Sequence, residues 1–287
     1  MKKSALLIMT LLVSIVMLKA QNNGNSLLWK ISGNGMEQSS YVFGTFHLLC
    51  PNDLDLSKKV TDALDRSEQL VLELDFDDPT LMQTLQQNMM MSDGQTAEDY
   101  LNEEEYKLLA GFFKDSLNMP FERIKGIKPF FLSSMTISHF LGCQPASFEQ
   151  TLTKAAQNKG MEVKGLETVE EQLSFIDNLS MEMKKKMLME NLKQYDKSKK
   201  MFREQVEYYL SENLEGLNSI IDDYMSSDYA QLREDLLVKR NKNWVPEIRK
   251  MIQEQPSMIA VGAGHLPGSD GLLKLLREAG YSVEPVH

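Results

Sequence analysis

Reactive side chains are scarce in this sequence: 287 residues include only four histidines and two cysteines. There is no Gly-x-Ser-x-Gly elbow, no His-Glu-x-x-His pair, no P-loop and no Gly-x-Gly-x-x-Gly fingerprint. Serine-hydrolase, zincin and nucleotide chemistry therefore have no motif to stand on. Neither Cys50 nor Cys143 belongs to a Cys-x-x-Cys pair, which excludes a thiolate metal site of the usual kind. Positive charge is also short. The chain carries −10 at neutral pH, and −13 without residues 1–20, which hold Lys2, Lys3 and Lys19 and no acid. Such a surface repels phosphate backbones and argues against nucleic acid as a partner. The clusters Lys184–Lys186 and Lys197–Lys200 read as solvated helix faces.

Long apolar runs are absent apart from Ala5–Leu18, which follows Lys2 and Lys3 and ends near the small residue Ala20. It is shorter than the ~20 residues of a comfortable membrane span. The order of basic start, apolar stretch and small residue is that of a secretory signal peptide, residues 1–20. The expected location of the mature chain is periplasmic or extracellular; membrane contact arises only if the segment stays uncleaved. In an oxidising compartment Cys50 and Cys143 can pair, but spacing cannot show whether they approach each other. Left free, Cys50 reads as a small buried hydrophobe before it reads as a nucleophile. The 19 methionines form no single stripe and read as flexible core filler.

What is present has the rhythm of an α/β protein with α+β character. Leu27–Ile31, Ser40–Phe46, Gln69–Asp75, Met161–Lys164, Ser257–Val261 and Tyr281–Pro285 read as strands. Asn102 with Glu105, and Thr168 with Glu171, have capping-box spacing, and Gly160 follows an apparent helix Phe148–Asn158 as its stop. Residues of about 80–160 and 180–255 are mainly helical in pattern. The expected architecture for residues 21–287 is one domain, with a central sheet from the N- and C-terminal segments and a large helical insert.

Two of the four histidines stand in matching contexts. Tyr41-Val-Phe-Gly-Thr-Phe-His47 and Ile259-Ala-Val-Gly-Ala-Gly-His265 each read as strand, glycine, two residues, histidine. Gly44, Gly262 and Gly264 permit tight turning and close backbone approach, and strand ends are where open α/β sheets gather their sites. Glu73 interrupts an apolar strand, where an ionisable group needs a reason. Glu167 follows Gly165-Leu166 at another strand end, where a salt bridge or cap is an equal explanation. Two imidazoles with carboxylates suit Mn, Co, Zn or Fe. Such an ion can lower the pKa of water and polarise a carbonyl, with a Glu taking the proton. His139 lies inside an apparent helix and reads as structural.

These residues resemble the TraB/GumN family, which includes the Tiki proteases. The resemblance rests on Gly44-Thr-Phe-His47, Val71-Leu-Glu73-Leu-Asp75, Val163 to Leu173, Arg240-Asn-Lys-Asn-Trp244 and Val261-Gly-Ala-Gly-His265-Leu-Pro-Gly268. It implies a fold related to erythromycin-esterase-like and haem-uptake ChaN-like proteins. For Tiki members it implies metal-dependent peptide cleavage by the two histidines and a glutamate. Carried over, that makes His47 and His265 metal ligands and Glu73 a base or ligand, with Glu167 and Arg240 in the pocket. Arg240 would clamp a carboxylate or stabilise negative charge. The chain departs from the family in having Glu149 where Asp is frequent. The expected activity is a metal-dependent peptidase or amidase on a peptide or small-molecule substrate. Its rivals are a non-catalytic binder of a peptide or haem-like ligand in the same cleft, and a metal-free hydrolase.

Overall fold

The computed structural model describes residues 25–225 and 229–287; the expected signal segment 1–20 lies outside the described residues. Six strands form one mixed sheet: β1 Leu28–Ser32, β2 Ser40–Thr45, β3 Gln69–Leu72, β4 Glu162–Gly165, β5 Ser257–Gly262 and β6 Ser282–Pro285. Their spatial order is β4-β3-β5-β2-β1-β6. The four strands β4, β3, β5 and β2 run parallel, while β1 pairs antiparallel with β2 and β6. All residues of β2, β3 and β5 are buried, which explains why they read as continuous apolar runs and not as alternating ones.

Register sets the site. Leu72 faces Ala260 of β5 on one side and Gly165 of β4 on the other, and Gly44 and Thr45 face Val261 and Gly262. All four parallel strands thus end along one edge, and the four chain segments that leave it carry His47, Gly262–His265, Glu73 and Glu167. The expected α/β sheet, built from N- and C-terminal strands, is observed, with β4 from mid-chain on one flank. One strand is shorter than expected. β3 stops at Leu72, and Glu73 lies just beyond its end, because there the chain leaves the ladder: the Glu73 carbonyl accepts from the amides of Leu166 and Glu167.

The helices form a second layer of packing. Helix Glu103–Leu117 starts with the expected Asn102/Glu105 capping box. Its Leu109 and Phe113 pack with Phe121, Leu132 and Leu188 in a cluster separate from the sheet core. Both other boundary signals also appear: the Thr168/Glu171 capping box and Gly160 at φ +66°. Of the methionines, Met189 and Met258 are core filler, whereas Met82 and Met90 are exposed. His139 packs edge-on against Phe112 at 5.5 Å, in a structural setting remote from the strand ends. Lys185 pairs with the buried Glu105 across two helices, so this lysine is packed between helices and does not stand on the solvated face expected for Lys184–Lys186. Among the described residues no helix is long and apolar enough to cross a membrane.

Cys50 and Cys143 form a disulfide, so neither is a free thiol. The reading of Cys50 as a nucleophile or unpaired hydrophobe is thereby corrected: the loop after β2 and the segment after helix Pro129–Phe140 run together here, with Leu49 and Ala146 bridged beside the bond. The link spans 93 residues, so it restrains much of the unfolded chain. The Cys50→Ser/Cys143→Ser double variant is expected to lose roughly 2–4 kcal/mol of stability. Urea unfolding of oxidised wild type and variant checks this; coincident midpoints would contradict it.

Candidate active site

His47 and His265 are held by the same device from different partners. His47 Nδ1 lies 2.8 Å from Glu149 Oε1. That carboxylate is fixed in turn by the hydroxyls of Thr45, at 2.7 Å, and Ser147, at 2.6 Å. Ser147 caps helix Phe148–Asn158, so Glu149 sits in its first turn, where the positive end of the helix favours a carboxylate. His265 Nδ1 lies 2.7 Å from Asn241 Oδ1, and the Asn241 amide donates to the carbonyls of His265 and Asp270. An oxygen at each Nδ1 turns each ring's Nε2 inward, the orientation a metal-ligating imidazole needs; on His47 that Nε2 carries a proton at neutral pH, which a metal would have to displace.

Both Nε2 atoms lie 3.9 Å from the same oxygen, Glu73 Oε1. That oxygen accepts the Gly262 amide at 2.8 Å, while Oε2 accepts from Arg240 Nη2 at 2.5 Å and Gln172 at 3.2 Å. Arg240 has no spare donor. Nε and Nη2 reach Glu167, Nη2 also reaches Glu73, and Nη1 reaches the Leu236 carbonyl at 3.1 Å and His265 Nε2 at 3.2 Å. These contacts use all five guanidinium N–H groups. Leu236 lies in the π-helical turn Glu234–Val238 that precedes helix Lys239–Glu254, and such turns release a backbone carbonyl from the ordinary ladder. Glu167 also accepts from Gln172 and from the Trp244 indole. The Trp244 ring lies 4.6 Å from the Arg240 guanidinium carbon and 4.5 Å from the His265 ring.

The glycines have separate tasks. A Cβ on Gly44 would stand 3.1 Å from the Ala263 Cα, so the two histidine segments meet backbone to backbone there. A Cβ on Gly262 would stand 3.2 Å from His47 Nε2 and 3.3 Å from Glu73 Oε1. It would fill the space the three inward-facing donors share. Gly264 lets the turn press onto Ile221, 3.0 Å from where a Cβ would lie.

Electrostatics divides the groups. Burial works against the charge on Glu73, but Arg240 and then the histidines outweigh it and hold the carboxyl far below the usual range. Glu149, likewise buried but paired with His47, falls to about 2. Glu167 is pushed up by burial despite Arg240. Desolvation opposes a proton on His47, yet the Glu149 and Glu73 carboxylates lift it to about 9. Burial drives His265 down to about 3, so its Nε2 is unprotonated and accepts from Arg240 Nη1. The three carboxylates thus face two cationic groups: Glu73 and Glu167 pair with Arg240, and Glu149 pairs with His47.

The donor chemistry fits a divalent ion held by His47 Nε2, His265 Nε2 and Glu73 Oε1, a His₂Glu set of the type catalytic zinc sites use. Among the described residues, however, no group of three His, Cys, Asp or Glu side chains is already closed to metal-binding spacing. Arg240 takes the His265 lone pair and the His47–Glu73 separation is wide. His47 is the exposed member, with 59% of its side chain accessible. Gly262→Ala probes the shared space directly. Its backbone, at φ −49°, accepts alanine, so the expected result is an unchanged melting temperature with metal affinity lowered on the order of 10–100-fold, the range for residues beside ligands. Competition titration with a chromogenic chelator checks it; unchanged affinity would move the ion elsewhere.

The five expected polar residues, His47, Glu73, Glu167, Arg240 and His265, are brought together. Three partners carried no assigned role in the sequence reading, Asn241, Gln172 and Trp244; a fourth, Glu149, stood out there only as a departure from the family's frequent Asp. The first three fall inside the segments that carry the family resemblance, and Trp244, four residues after Arg240, shares its helical face.

The chain is 23% identical to metalloprotease TIKI2 of Danio rerio, over 92% of this chain and 62% of the relative. It is 25% identical to metalloprotease TIKI1 of Danio rerio, over 92% and 64%, and 24% identical to metalloprotease TIKI1 of Homo sapiens, over 93% and 64%. The chain thus spans somewhat under two thirds of the length of these relatives. No solved structure matches it significantly. The family model of TraB/PrgY/gumN matches residues 27–285, from the first strand to the last, and the chain belongs to that family.

Proposed function

We propose that this chain is an exported, divalent-metal-dependent hydrolase of peptide or amide bonds. The observation that carries the reading is the convergence of two Nδ1-anchored imidazoles and one carboxylate oxygen at the shared end of four parallel strands. The relatives named metalloprotease support it, and the disulfide suits an oxidising compartment outside the cytosol.

His47, His265 and Glu73 would hold the ion, one of Mn, Co, Zn or Fe. When bound it would polarise the carbonyl of a peptide or small amide and supply a nucleophile at neutral pH. The chain's own residues do the rest. Glu149 and Asn241 fix the orientation of the two rings. Arg240, with every donor committed, acts as a positioning residue that sets Glu73 against Glu167, and has no N–H left for a substrate carboxylate in this arrangement. Trp244 packs under both Arg240 and His265 and keeps water from that side.

The contact from Arg240 Nη1 to His265 Nε2 favours a second reading, a non-catalytic binder of a peptide or haem-like ligand. One experiment separates the two: elemental analysis of residues 21–287, as purified and after supply of each metal, with peptide turnover in parallel. The hydrolase reading expects one equivalent of metal and turnover, both lost in His47→Ala and in His265→Ala. Wild type that takes up no metal and turns over nothing sinks it in favour of the binder.

A further inference from the structure

Beside the two histidine segments, on the helical side, lies a cavity of about 280 Å³. Its walls come from four helices: Pro129–Phe140 gives Ile137 and Phe140, Tyr195–Leu210 gives Met201 and Phe202, Leu214–Tyr224 gives Ile221, and Met181–Lys193 gives Asn191. No charged side chain lines it. The Asn191 amide is already spent on the Ser133 hydroxyl; Ser198, Gln205 and Tyr224 add uncharged polar atoms, and the remaining six lining residues are apolar.

Two independent contacts set the cavity wall against the candidate site, although no site residue lines the cavity itself. The Phe202 ring lies 5.9 Å from the ring of Phe46, the residue before His47. Ile221 presses on Gly264, the residue before His265, so closely that a Cβ there would stand 3.0 Å from its Cδ1. One wall residue therefore backs each histidine segment. The same connection gives Gly264 a purpose that the turn itself does not require, since its φ is not among the positive ones. Without a side chain at 264, Ile221 can approach the turn.

We infer that this cavity is the side-chain subsite of the proposed hydrolase, taking one bulky apolar residue (Leu, Met or Phe) of a peptide whose backbone lies across His47 and His265. The inference rests on the hydrolase reading for its catalytic meaning, but the binding step stands alone. Size decides between occupants: drug-sized or larger ligands take pockets of roughly 300–1,000 Å³, so this one suits a side chain and is too small for a macrocycle such as haem. Charge decides against Lys, Arg, Asp and Glu, which would be buried without a partner. Met201 and Met225 supply the adaptability that lets one pocket accept several apolar shapes.

The test uses two readouts. In metal-free protein labelled at methionine methyls, N-acetyl amides of Leu, Met and Phe are titrated against those of Gly, Lys and Asp. The Met201 and Met225 methyl resonances are expected to shift with the first three only, and to stop shifting in Ile221→Trp, which fills the cavity. In parallel, metal-loaded wild type digests a mixed peptide library. Cleavage beside Leu, Met or Phe is expected to exceed cleavage beside Gly by about 10–100-fold, as apolar pockets discriminate, and Ile221→Trp should bring that ratio to within about twofold. Methyl shifts without any cleavage would retain the pocket and remove the hydrolase. Cleavage that ignores side-chain type, or keeps its preference in Ile221→Trp, would overturn the pocket and leave the hydrolase standing. Methyls indifferent to every amide would overturn the pocket outright, and a Met201→Phe variant gives a second filling from another wall should Ile221→Trp fail to fold.

Discussion

Glu73→Gln is expected to lower peptide turnover about 10²–10⁴-fold, the range for a group that handles a proton or charge at the reacting centre, and to release the metal as well. Both effects come from one oxygen. Oε1 stands 3.9 Å from each inward Nε2 and is oriented by the Gly262 amide, while Oε2 belongs to Arg240 and Gln172. An amide has only one acceptor atom. Whichever way it turns, an NH₂ group faces either the Gly262 N–H or the donors of Arg240 and Gln172, and the negative charge is gone. The substitution therefore removes an anionic donor and leaves about 1–3 kcal/mol of unsatisfied polar contact, so unfolding is measured alongside. Metal content separates the two roles of Glu73. Turnover lost with metal retained would make it a proton carrier outside the ligand set; turnover and metal lost together make it the third ligand. Turnover within twofold of wild type would refute both.

The convergence of the site was legible because it follows from strand direction. Gly44 to His47 and Gly262 to His265 each follow an apolar run, and parallel strands deliver what comes after them to one edge. Glu73 and Glu167 were legible for the same reason. The extent of β3 was not: Gln69–Asp75 has uniform strand character, and it stops at Leu72 because β4 ends at Gly165 and the Leu166 and Glu167 amides then take the Glu73 carbonyl. Pairings across long sequence distance were equally hidden. That Glu149 would reach His47 across 102 residues, or Asn241 reach His265, depends on how helices dock on the sheet, which local pattern does not encode. Cys50 and Cys143 are a similar case, since spacing allows a bond without requiring it. The π turn at Glu234–Val238 has no local sequence mark here, yet it frees the Leu236 carbonyl that fixes Arg240. The role of Arg240 was visible only as far as its charge. A guanidinium near two histidines suggests a substrate clamp, and the geometry shows its five donors used inside the protein.

That commitment makes Arg240 the costliest residue to remove. Arg240→Met is expected to destabilise the metal-free protein by about 3–5 kcal/mol, the range for breaking a buried ion pair from one side. Glu73 and Glu167, whose side chains are 7% and 6% exposed, would be left facing each other without the guanidinium between them, and the Leu236 carbonyl would lose its partner. The methionine keeps much of the volume beside Trp244, so the loss reports charge more than packing. Neutralising one acid should repair part of it: Arg240→Met/Glu167→Gln is expected to be more stable than Arg240→Met alone, a coupling that a double-mutant cycle reads directly. The pH dependence has a definite sign. Glu167 is already pushed upward with Arg240 in place, and without it the folded-state pKa rises further above the unfolded value of about 4.3. The folded variant then binds more protons than its unfolded chain across that window, so its deficit shrinks as pH falls towards the unfolded value and grows as pH rises through the folded one. Urea unfolding of wild type, Arg240→Met and the double variant at pH 5 and pH 8 measures both quantities. A deficit that is the same at the two pH values, or a double variant less stable than the single, would mean that Arg240 is held for packing and not to balance the two carboxylates.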